Sequence, residues 1–392
     1  MKIDIDKIRS DIRHYGEKIF LNSAGSSLMP KSVVQEINNY LLEEEKYGGY
    51  AVEDLKANEI AGFYDQAAQL IGAQPHNIAF THDATDAYIK ALSSIHFKKG
   101  DVVITTNDDY ASNQIQFISL QKRFGIEIVR IENLENGELD VEDFQNLIDK
   151  HHPKLVAVTH IPTNSGLIQN VEAIGNICHD RQIPFLLDAC QSVGQIEVDV
   201  TKIKCDFLST TGRKFLRGPR GTGFLFISDN LLKNGYSPLM IDGGGAVWKS
   251  IDQYEVLNDA KRFETWEAPY ALIIGFKEAI RYANEVGLKS IESYNQKLMF
   301  QLRENLSGLQ SVQMFDKGLK KCNILTFRKD GKSLKEIEEK LKQNNIFFSV
   351  SNKEWGVIDF NKKGIDGAIR LSPHYFNTIE EINNVTKIID AI

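Results

Sequence analysis

Residues 205–223 read CDFLSTTGRKFLRGPRGTG: a short apolar run, a polar turn that carries a lysine, and a glycine-rich hairpin. The run Phe207-Leu208-Ser209-Thr210 is typical of a buried strand. Lys214 follows its end, where an ammonium group would lose hydration without an obvious carboxylate neighbour. A lysine that loses its charge becomes a nucleophile, which can form an imine with an aldehyde cofactor. A lysine facing solvent from a loop is the competing interpretation.

A second apolar run, Phe185-Leu186-Leu187-Asp188, ends in an acid. Ligands of open α/β sheets bind at the carboxyl ends of strands, so a carboxylate there points to function. The strand that precedes Lys214 would bring acid and amine to one crevice. Pyridoxal phosphate needs this pair, because the amine carries the imine and the carboxylate keeps the ring nitrogen protonated. A role as helix N-cap also explains Asp188.

A third segment, residues 77–92, reads as a strand, a small polar turn and an apolar-periodic helix. Ala84 and Thr85 would place free backbone N–H groups and a hydroxyl at the helix N-terminus, which is a ready site for a phosphate. Simple capping of the helix by Asp83 or Thr85 accounts for the same residues without a ligand.

The alternation of short strands and helices around these segments predicts an α/β fold with a mostly parallel, doubly wound sheet. Five strands are expected at 102–106, 127–131, 155–159, 185–188 and 207–210, and three helices at 141–149, 268–286 and 289–306. We expect a large cofactor-binding domain over 15–286 and a smaller α+β domain over 287–392. The N-terminal segment 1–14 is expected to belong to the smaller domain.

The three segments, in this order, resemble the fold-type I pyridoxal phosphate enzymes of the class V aminotransferase group, which includes cysteine desulfurases. The resemblance extends from Phe20 to Ser372. It implies that Lys214 forms the Schiff base and that Asp188 contacts the pyridine nitrogen. It also implies the following cofactor-binding residues: Ala84, Thr85, Asn164, Gln191, Thr211 and Arg213. Arg370 matches the carboxylate-binding arginine of the family, whose fork suits bidentate capture, and Asn22 is expected beside the substrate.

Two departures from the desulfurase pattern concern residues at the cofactor. Tyr110 stands where those enzymes usually stack a histidine on the ring; a phenol can stack there but cannot shuttle a proton near neutral pH. General acid–base work therefore falls on Lys214. The residue before the lysine, commonly histidine, is Arg213, whose permanent charge is expected near the phosphate.

A third departure is a missing thiol. Desulfurases accept sulfur on a cysteine of a C-terminal loop, and residues 347–360 hold no cysteine. We therefore expect an amino-acid substrate that reacts through an external aldimine by β-elimination. Thr265-Trp266-Glu267 and the Thr-Gly-Arg-Lys sequence at 211–214 resemble an offshoot of the family that contains isopenicillin N epimerase-like proteins and ergothioneine-pathway C–S lyases. Transamination or epimerisation is the alternative, and a desulfurase or a non-catalytic cofactor-binding regulator is less favoured. A dinucleotide-dependent oxidoreductase would share the strand pattern but needs a G-x-G-x-x-G fingerprint that is missing.

Composition fits a cytoplasmic enzyme of this kind. The chain of 392 residues has a net charge of −7, which argues against nucleic acid or an anionic membrane as partner. Its first residues lack the apolar core of a secretory signal, and no apolar run approaches a membrane span. The cysteines have no metal-ligand spacing, so no metal site is expected. The resemblance implies a homodimer with sites between the subunits.

Overall fold

The computed structural model describes residues 3–392. Its strands are β1 (Ile19–Phe20), β2 (Ile78–Thr81), β3 (Val102–Thr105), β4 (Glu127–Arg130), β5 (Leu155–Thr159), β6 (Phe185–Asp188), β7 (Phe207–Thr211), β8 (Gly223–Ile227), β9 (Ala246–Ser250), β10 (Gln253–Val256), β11 (Val312–Met314), β12 (Leu325–Lys329), β13 (Ile346–Phe347), β14 (Ser349–Asn352) and β15 (Gly367–Leu371). All five strands expected from the sequence are present within one residue of their expected ends.

The helices are α1 (Ile5–Ser10), α2 (Lys31–Tyr47), α3 (Gly49–Leu55), α4 (Ala57–Ile71), α5 (Ala84–Ser93), α6 (Ala111–Phe124), α7 (Val141–His151), α8 (Val171–Asp180), α9 (Val200–Ile203), α10 (Asp229–Lys233), α11 (Tyr270–Val286), α12 (Leu288–Ser307), α13 (Leu334–Gln343), α14 (Val357–Lys363) and α15 (Ile379–Asp390). Short 3₁₀ turns span Pro75–Asn77, Ala260–Phe263 and Lys353–Trp355. Pro269 is the N-cap of α11.

Seven strands form one mixed sheet in the order β2-β8-β7-β6-β5-β3-β4. The neighbours from β7 to β4 are parallel, whereas β8 runs antiparallel to both β2 and β7. The antiparallel turn back from β7 to β8 contains the lysine turn and the glycine-rich hairpin, as the sequence predicted. The carboxyl ends of β3, β5, β6 and β7 therefore meet at one edge of the sheet.

Both faces of this sheet are covered, which gives the doubly wound arrangement. Phe185 and Leu187 of β6 pack into one apolar cluster with residues of α4, α8 and α11. Leu186, between them, points to the opposite cluster with residues of α5 and α6. Because side chains alternate along a strand, a run that is apolar at every position must have a core on each side. The continuous apolar strands are thus explained.

A second, four-stranded antiparallel sheet has the order β11-β12-β15-β14 and packs against α12, α13 and α15. It is the smaller α+β unit expected after residue 287. The two-stranded pair β1 and β13 joins residues near the N-terminus to this unit. We propose that the domain boundary lies near Gly287, the residue between α11 and α12, and that the segment before residue 15 belongs with the small domain; Met1 and Lys2 lie outside the described residues.

Candidate active site

Lys214 lies three residues beyond the end of β7 and is 8% exposed. The backbone just after Lys214, at Phe215 and Leu216, packs against a turn that follows Asp188. In that turn Gly194 has φ +94°, and a Cβ at this position would lie 2.6 Å from the backbone N of Leu216. Only glycine permits so close an approach in this conformation. The turns that follow β6 and β7 are therefore packed directly on each other.

Asp188 ends β6 and lies in the same cavity as Lys214, a space of about 230 Å³. Its Oδ1 accepts a hydrogen bond from the backbone N of Cys190 at 2.9 Å, and its Oδ2 accepts one from Asn113 Nδ2 at 2.8 Å. The next helix does not begin until Val200, so Asp188 is not a helix cap. A buried carboxylate that already accepts hydrogen bonds from two neutral donors can still accept another from a protonated ring nitrogen.

The N-terminus of α5 also lines this cavity, through Ala84 and Thr85. Asp83 caps the helix by accepting a hydrogen bond of 2.8 Å from the backbone N of Asp86. The capping interpretation is therefore correct for Asp83. It leaves the N–H groups of Ala84 and Thr85 in the first turn, where a helix has backbone donors to spare for an anion. Thr211 and Arg213 line the same cavity.

Tyr110 lies beside Lys214, whose Nζ is 5.8 Å from the centre of the phenol ring. The loop that carries it is held by Asp109, which accepts hydrogen bonds from Thr106 Oγ1 and from the backbone N of Thr159, each at 2.9 Å. Burial raises the pKa of Asp109, and these donors act against the shift. Burial also raises the pKa of Tyr110, so the phenol stays protonated near neutral pH. The phenol ring thus lies beside the amine, where it is available to stack on a cofactor ring, and it does not exchange protons near neutral pH.

A second cavity of about 200 Å³ adjoins the first and shares Tyr110, Gln191, Arg213 and Lys214 with it. Asn164, expected beside the cofactor, lines this second cavity. We refer to the first space as the cofactor cavity and to the second as the substrate cavity. The substrate cavity is also bordered by Trp355 and Arg370, which lie after the end of β14 and on β15.

Arg370 is held from two sides. Its Nη2 donates to Ser349 Oγ at 2.9 Å, and its Nη1 donates to Thr163 Oγ1. Burial lowers the pKa of Arg370, and the nearby charge of Arg213 lowers it further. Asn22 accepts a hydrogen bond of 2.8 Å from Ser349 Oγ, so its side chain supports Arg370 through the serine. The guanidinium is oriented by neutral hydroxyls, and an anionic ligand would supply the counter-charge.

Several contributors escape sequence reasoning. Asn113, Thr163 and Ser349 orient the acid and the arginine, and Asp109 holds the loop of Tyr110. An asparagine at a helix start or a serine on a strand has no motif of its own, so only the spatial neighbour reveals it. The one signal was position, because all except Ser349 follow the carboxyl ends of parallel strands.

The residues present fit pyridoxal phosphate. The polar atoms Thr159 Oγ1, Asn164 Oδ1 and Gln191 Oε1 are buried without a hydrogen-bond partner among the described residues. Unpaired buried polar atoms are costly, so their concentration around two joined cavities indicates a polar ligand. The lining of the cofactor cavity includes both the N-terminus of α5, which can bind an anion, and the carboxylate of Asp188, and the phosphate and the pyridine nitrogen require two such groups.

A larger cavity, of about 890 Å³, lies at the opposite edge of the sheet near Pro184 and Asp206. It contains none of the site residues expected from the sequence. Ligands of open α/β sheets bind at the carboxyl ends of the strands, and Pro184 and Asp206 precede β6 and β7. Size alone therefore does not identify the site. No cluster of metal-ligating side chains and no helix able to span a membrane occurs among residues 3–392.

Comparison with known proteins gives the same picture. Residues 19–385 match the family model "Aminotransferase class-V". A probable cysteine desulfurase of Methanothermobacter thermautotrophicus is 28% identical over 99% of this chain and 98% of its own length. The apo structure of a cysteine desulfurase from Thermococcus onnurineus has a TM-score of 0.92 and 29% identity, and covers 100% of this chain and 98% of its own.

A third neighbour shows the cofactor. It is a lysine-to-alanine mutant of the protein called C-DES, with glycine covalently linked to pyridoxal phosphate, at a TM-score of 0.86 and 20% identity over 97% of this chain and 99% of that one. At this identity the likeness concerns the fold. The family itself depends on pyridoxal phosphate, and this is the cofactor of the chain.

The expectation of a C–S lyase that works without a persulfide cysteine is wrong. The relatives in Methanothermobacter thermautotrophicus and Pyrococcus abyssi and the structure from Thermococcus onnurineus, which this chain matches over at least 98% of its length at 28–29% identity, are named cysteine desulfurases or probable cysteine desulfurases. The missing thiol concerned one short segment, whereas these matches extend over almost the whole chain. The fold, the cofactor and the end-to-end match agree: the chain belongs to the class V aminotransferase family.

Proposed function

We propose that the protein is a pyridoxal phosphate-dependent cysteine desulfurase, which takes sulfur from L-cysteine and leaves alanine. One observation carries the proposal: Lys214 and Asp188 share a cavity that opens into a second cavity bordered by Arg370. An amino acid can thereby have its carboxylate bound at one end and its Cα beside the amine. The names of the relatives supply the reaction.

The side chains of this chain then have separate roles. Arg370 binds the substrate carboxylate with the planar fork that Ser349 and Thr163 hold in place. Lys214 removes and returns protons at the substrate carbon, because Tyr110 stays neutral. Asp188 holds the ring nitrogen in its protonated form. When bound, pyridoxal phosphate supplies an electron sink for the Cα–H electrons.

The cofactor contacts are proposed as well. The first-turn N–H groups of Ala84 and Thr85, with Thr211 and Arg213, take the phosphate. Asn164 and Gln191 lie beside the ring oxygen, because each has a buried side-chain oxygen without a partner among the described residues. Asn22 supports the substrate-binding arginine through Ser349.

Sulfur must leave on a thiol, since breaking the C–S bond and protonating Cβ gives alanine only when the sulfur atom passes to an acceptor as a persulfide. Residues 347–356, of which Val350, Ser351 and Trp355 border the substrate cavity, hold no cysteine. Cys190 lines the cofactor cavity, and burial raises the pKa of its thiol. A thiol is a poor nucleophile in this state. The acceptor is therefore best sought by experiment among the four cysteines and added thiols.

A homodimer is proposed on an exposed apolar surface formed by the hairpin β9–β10 and Trp266. The hairpin β9–β10 pairs only with itself in the described chain and carries Trp248 and Ile251, which are 78% and 88% exposed. Trp266, which lies near it in sequence, is 68% exposed. Two-stranded hairpins are marginal alone, and exposed apolar groups of this size mark contact surfaces. A second copy of the chain is the occupant that the family resemblance implies.

The test incubates holoenzyme with L-cysteine and a reducing thiol, and measures alanine, sulfide, pyruvate and ammonia. We expect alanine and sulfide in equal amounts. Pyruvate and ammonia in place of alanine would reject the proposal. The Lys214→Ala protein is the matched control and should form no alanine, and mass spectrometry of thiol-blocked protein without the reductant locates any persulfide.

A further inference from the structure

Four charged side chains form a buried cluster beside the substrate cavity. We call Asp108, Lys317, Asp359 and Lys363 the bridging cluster. Lys317 Nζ lies 2.8 Å from Asp108 Oδ1 and 2.7 Å from Asp359 Oδ1. Lys363 Nζ lies 2.7 Å from Asp359 Oδ2. Two acids and two lysines balance in charge, and one lysine joins two carboxylates that belong to different parts of the chain.

The cluster is enclosed. The side chains of Asp108 and Asp359 are 2% and 5% exposed, those of Lys363 and Lys317 9% and 20%. Burial lowers the pKa of Lys317, but the two carboxylates outweigh it and the net shift is upward. Ion pairs at an exposed surface contribute little, whereas removing one partner of a buried set leaves an uncompensated charge. Lys317 is the member whose loss would bring two carboxylates together without a cation between them.

Each member is attached to a wall of the substrate cavity. Asp108 lies two positions before Tyr110 in the loop after β3. Asp359 lies on α14, which begins two residues after Trp355. Lys363 Nζ donates to the backbone oxygen of Asn164 at 2.8 Å. Tyr110, Trp355 and Asn164 all border the substrate cavity, so the cluster ties three of its walls to one another.

Two further contacts keep these walls close. The backbone N of Lys317 donates to the oxygen of Ser165 at 2.8 Å, which fixes the lysine against the loop that carries Asn164. At Gly356 a Cβ would lie 2.7 Å from Asn164 Nδ2. The start of α14 is therefore packed directly on Asn164, and the lysine bridge lies behind this contact.

We propose that Lys317 is a positioning residue that holds the segment 353–363 against the loops of Tyr110 and Asn164 and so sets the shape of the substrate cavity. Lys317 touches neither cofactor nor substrate in this arrangement; it acts through Asp108 and Asp359. The turnover readout rests on the proposed function, whereas the structural readout does not.

The experiment compares holoenzymes carrying Lys317→Met and Lys317→Arg with wild type. Lys329→Met is the matched control. Lys329 is also buried, at 8% exposed, and its Nζ donates to the backbone oxygens of Ile389 and Asp390 at 2.8 Å each, away from the cavity. Two quantities are measured: hydrogen exchange of the peptide covering 353–363, and kcat and KM for L-cysteine.

We expect Lys317→Met to speed exchange in 353–363 and to raise KM for L-cysteine about tenfold, the effect of one lost charge-assisted contact, with a smaller change in kcat. Lys317→Arg should restore both, and Lys329→Met should change neither. Unchanged exchange and KM in Lys317→Met, or the same KM change in Lys329→Met, would overturn the proposal.

A milder variant covers the case in which Lys317→Met does not fold. Asp108→Asn removes one carboxylate and leaves the pairs of Lys317 and Lys363 with Asp359 intact. It should speed exchange in 353–363 and raise KM less than Lys317→Met; wild-type exchange and KM in this variant would also overturn the proposal. If wild type itself forms no alanine, the proposed function fails, and the exchange data alone decide on Lys317.

Discussion

Asn113, in the first turn of α6, donates a hydrogen bond of 2.8 Å to Oδ2 of Asp188 across 75 residues of sequence. The other oxygen of Asp188 accepts from the backbone N of Cys190. The carboxylate is thereby fixed in rotation about its Cβ–Cγ bond. A carboxylate that is to face a ring nitrogen benefits from being oriented before the cofactor binds, because a misoriented group slows the reaction.

Replacing Asn113 by alanine should therefore slow the reaction without removing the acid. A hydrogen bond to a charged group contributes about 1.5–3 kcal/mol, so we expect kcat/KM for L-cysteine to fall roughly 10- to 100-fold. Asn284→Ala is the control, because Asn284 Nδ2 donates a hydrogen bond of 3.1 Å to Gln66 Oε1 between helices α11 and α4. Equal activities of Asn113→Ala and wild type would show that Asp188 needs no such support.

Arg370→Lys should weaken substrate binding more than turnover. Lysine keeps the charge but cannot form the two parallel hydrogen bonds of a guanidinium, so we expect KM to rise about 10-fold or more. Arg328→Lys, on the neighbouring strand β12, is the control. If KM for L-cysteine is the same in both variants, Arg370 does not bind the carboxylate.

Glu264 makes stability depend on pH. Its Oε1 accepts a hydrogen bond of 2.6 Å from the backbone N of Phe80 and another from Tyr64, and burial raises its pKa to about 7. The unfolded carboxyl titrates near about 4.3, so the native state binds the proton more tightly. The contribution of Glu264 to stability is therefore fully present below the unfolded pKa and is lost as the pH rises through about 7.

Glu264→Gln removes this titration. We expect the stability of Glu264→Gln relative to wild type to be higher at pH 8 than at pH 5 by about 2–3 kcal/mol, because the folded pKa of about 7 lies well above the unfolded value. Thermal unfolding at both values checks it. A difference between the two proteins that does not change with pH would mean that Glu264 keeps an ordinary pKa.

The proposed dimer surface gives a prediction of assembly. A glutamate at the position of Trp248 would place a charge in an apolar contact, so Trp248→Glu should sediment as a monomer at concentrations where wild type is a dimer. Phe300→Glu is the control, because Phe300 is 67% exposed on α12. A dimeric Trp248→Glu protein would place the contact elsewhere.

The parallel strands of the large sheet could be predicted from the sequence because they are apolar at successive positions and end in polar turns. Asp188 and Lys214 follow two such strands, so adjacency of β6 and β7 was enough to bring them together. The pattern predicts which residues lie at the edge of a sheet. It does not predict which side chains of separate loops touch there.

The residues that the sequence did not reveal depend on contacts between distant segments. Ser349 binds Arg370 from the neighbouring strand β14, and Lys317 bridges Asp108 and Asp359. Each residue is ordinary on its own, and its partner lies far along the chain. The expectation of a C–S lyase was wrong for another reason, since it rested on one thiol missing from 347–360.

We propose that Lys214 carries the cofactor and that Asp188 faces the ring nitrogen. The most direct test reduces the holoenzyme with borohydride, digests it, and locates the attached cofactor by mass spectrometry. We predict the reduced cofactor on the peptide that contains Lys214 and none on the Lys214→Ala protein. Attachment at another lysine, or at none, would contradict the account.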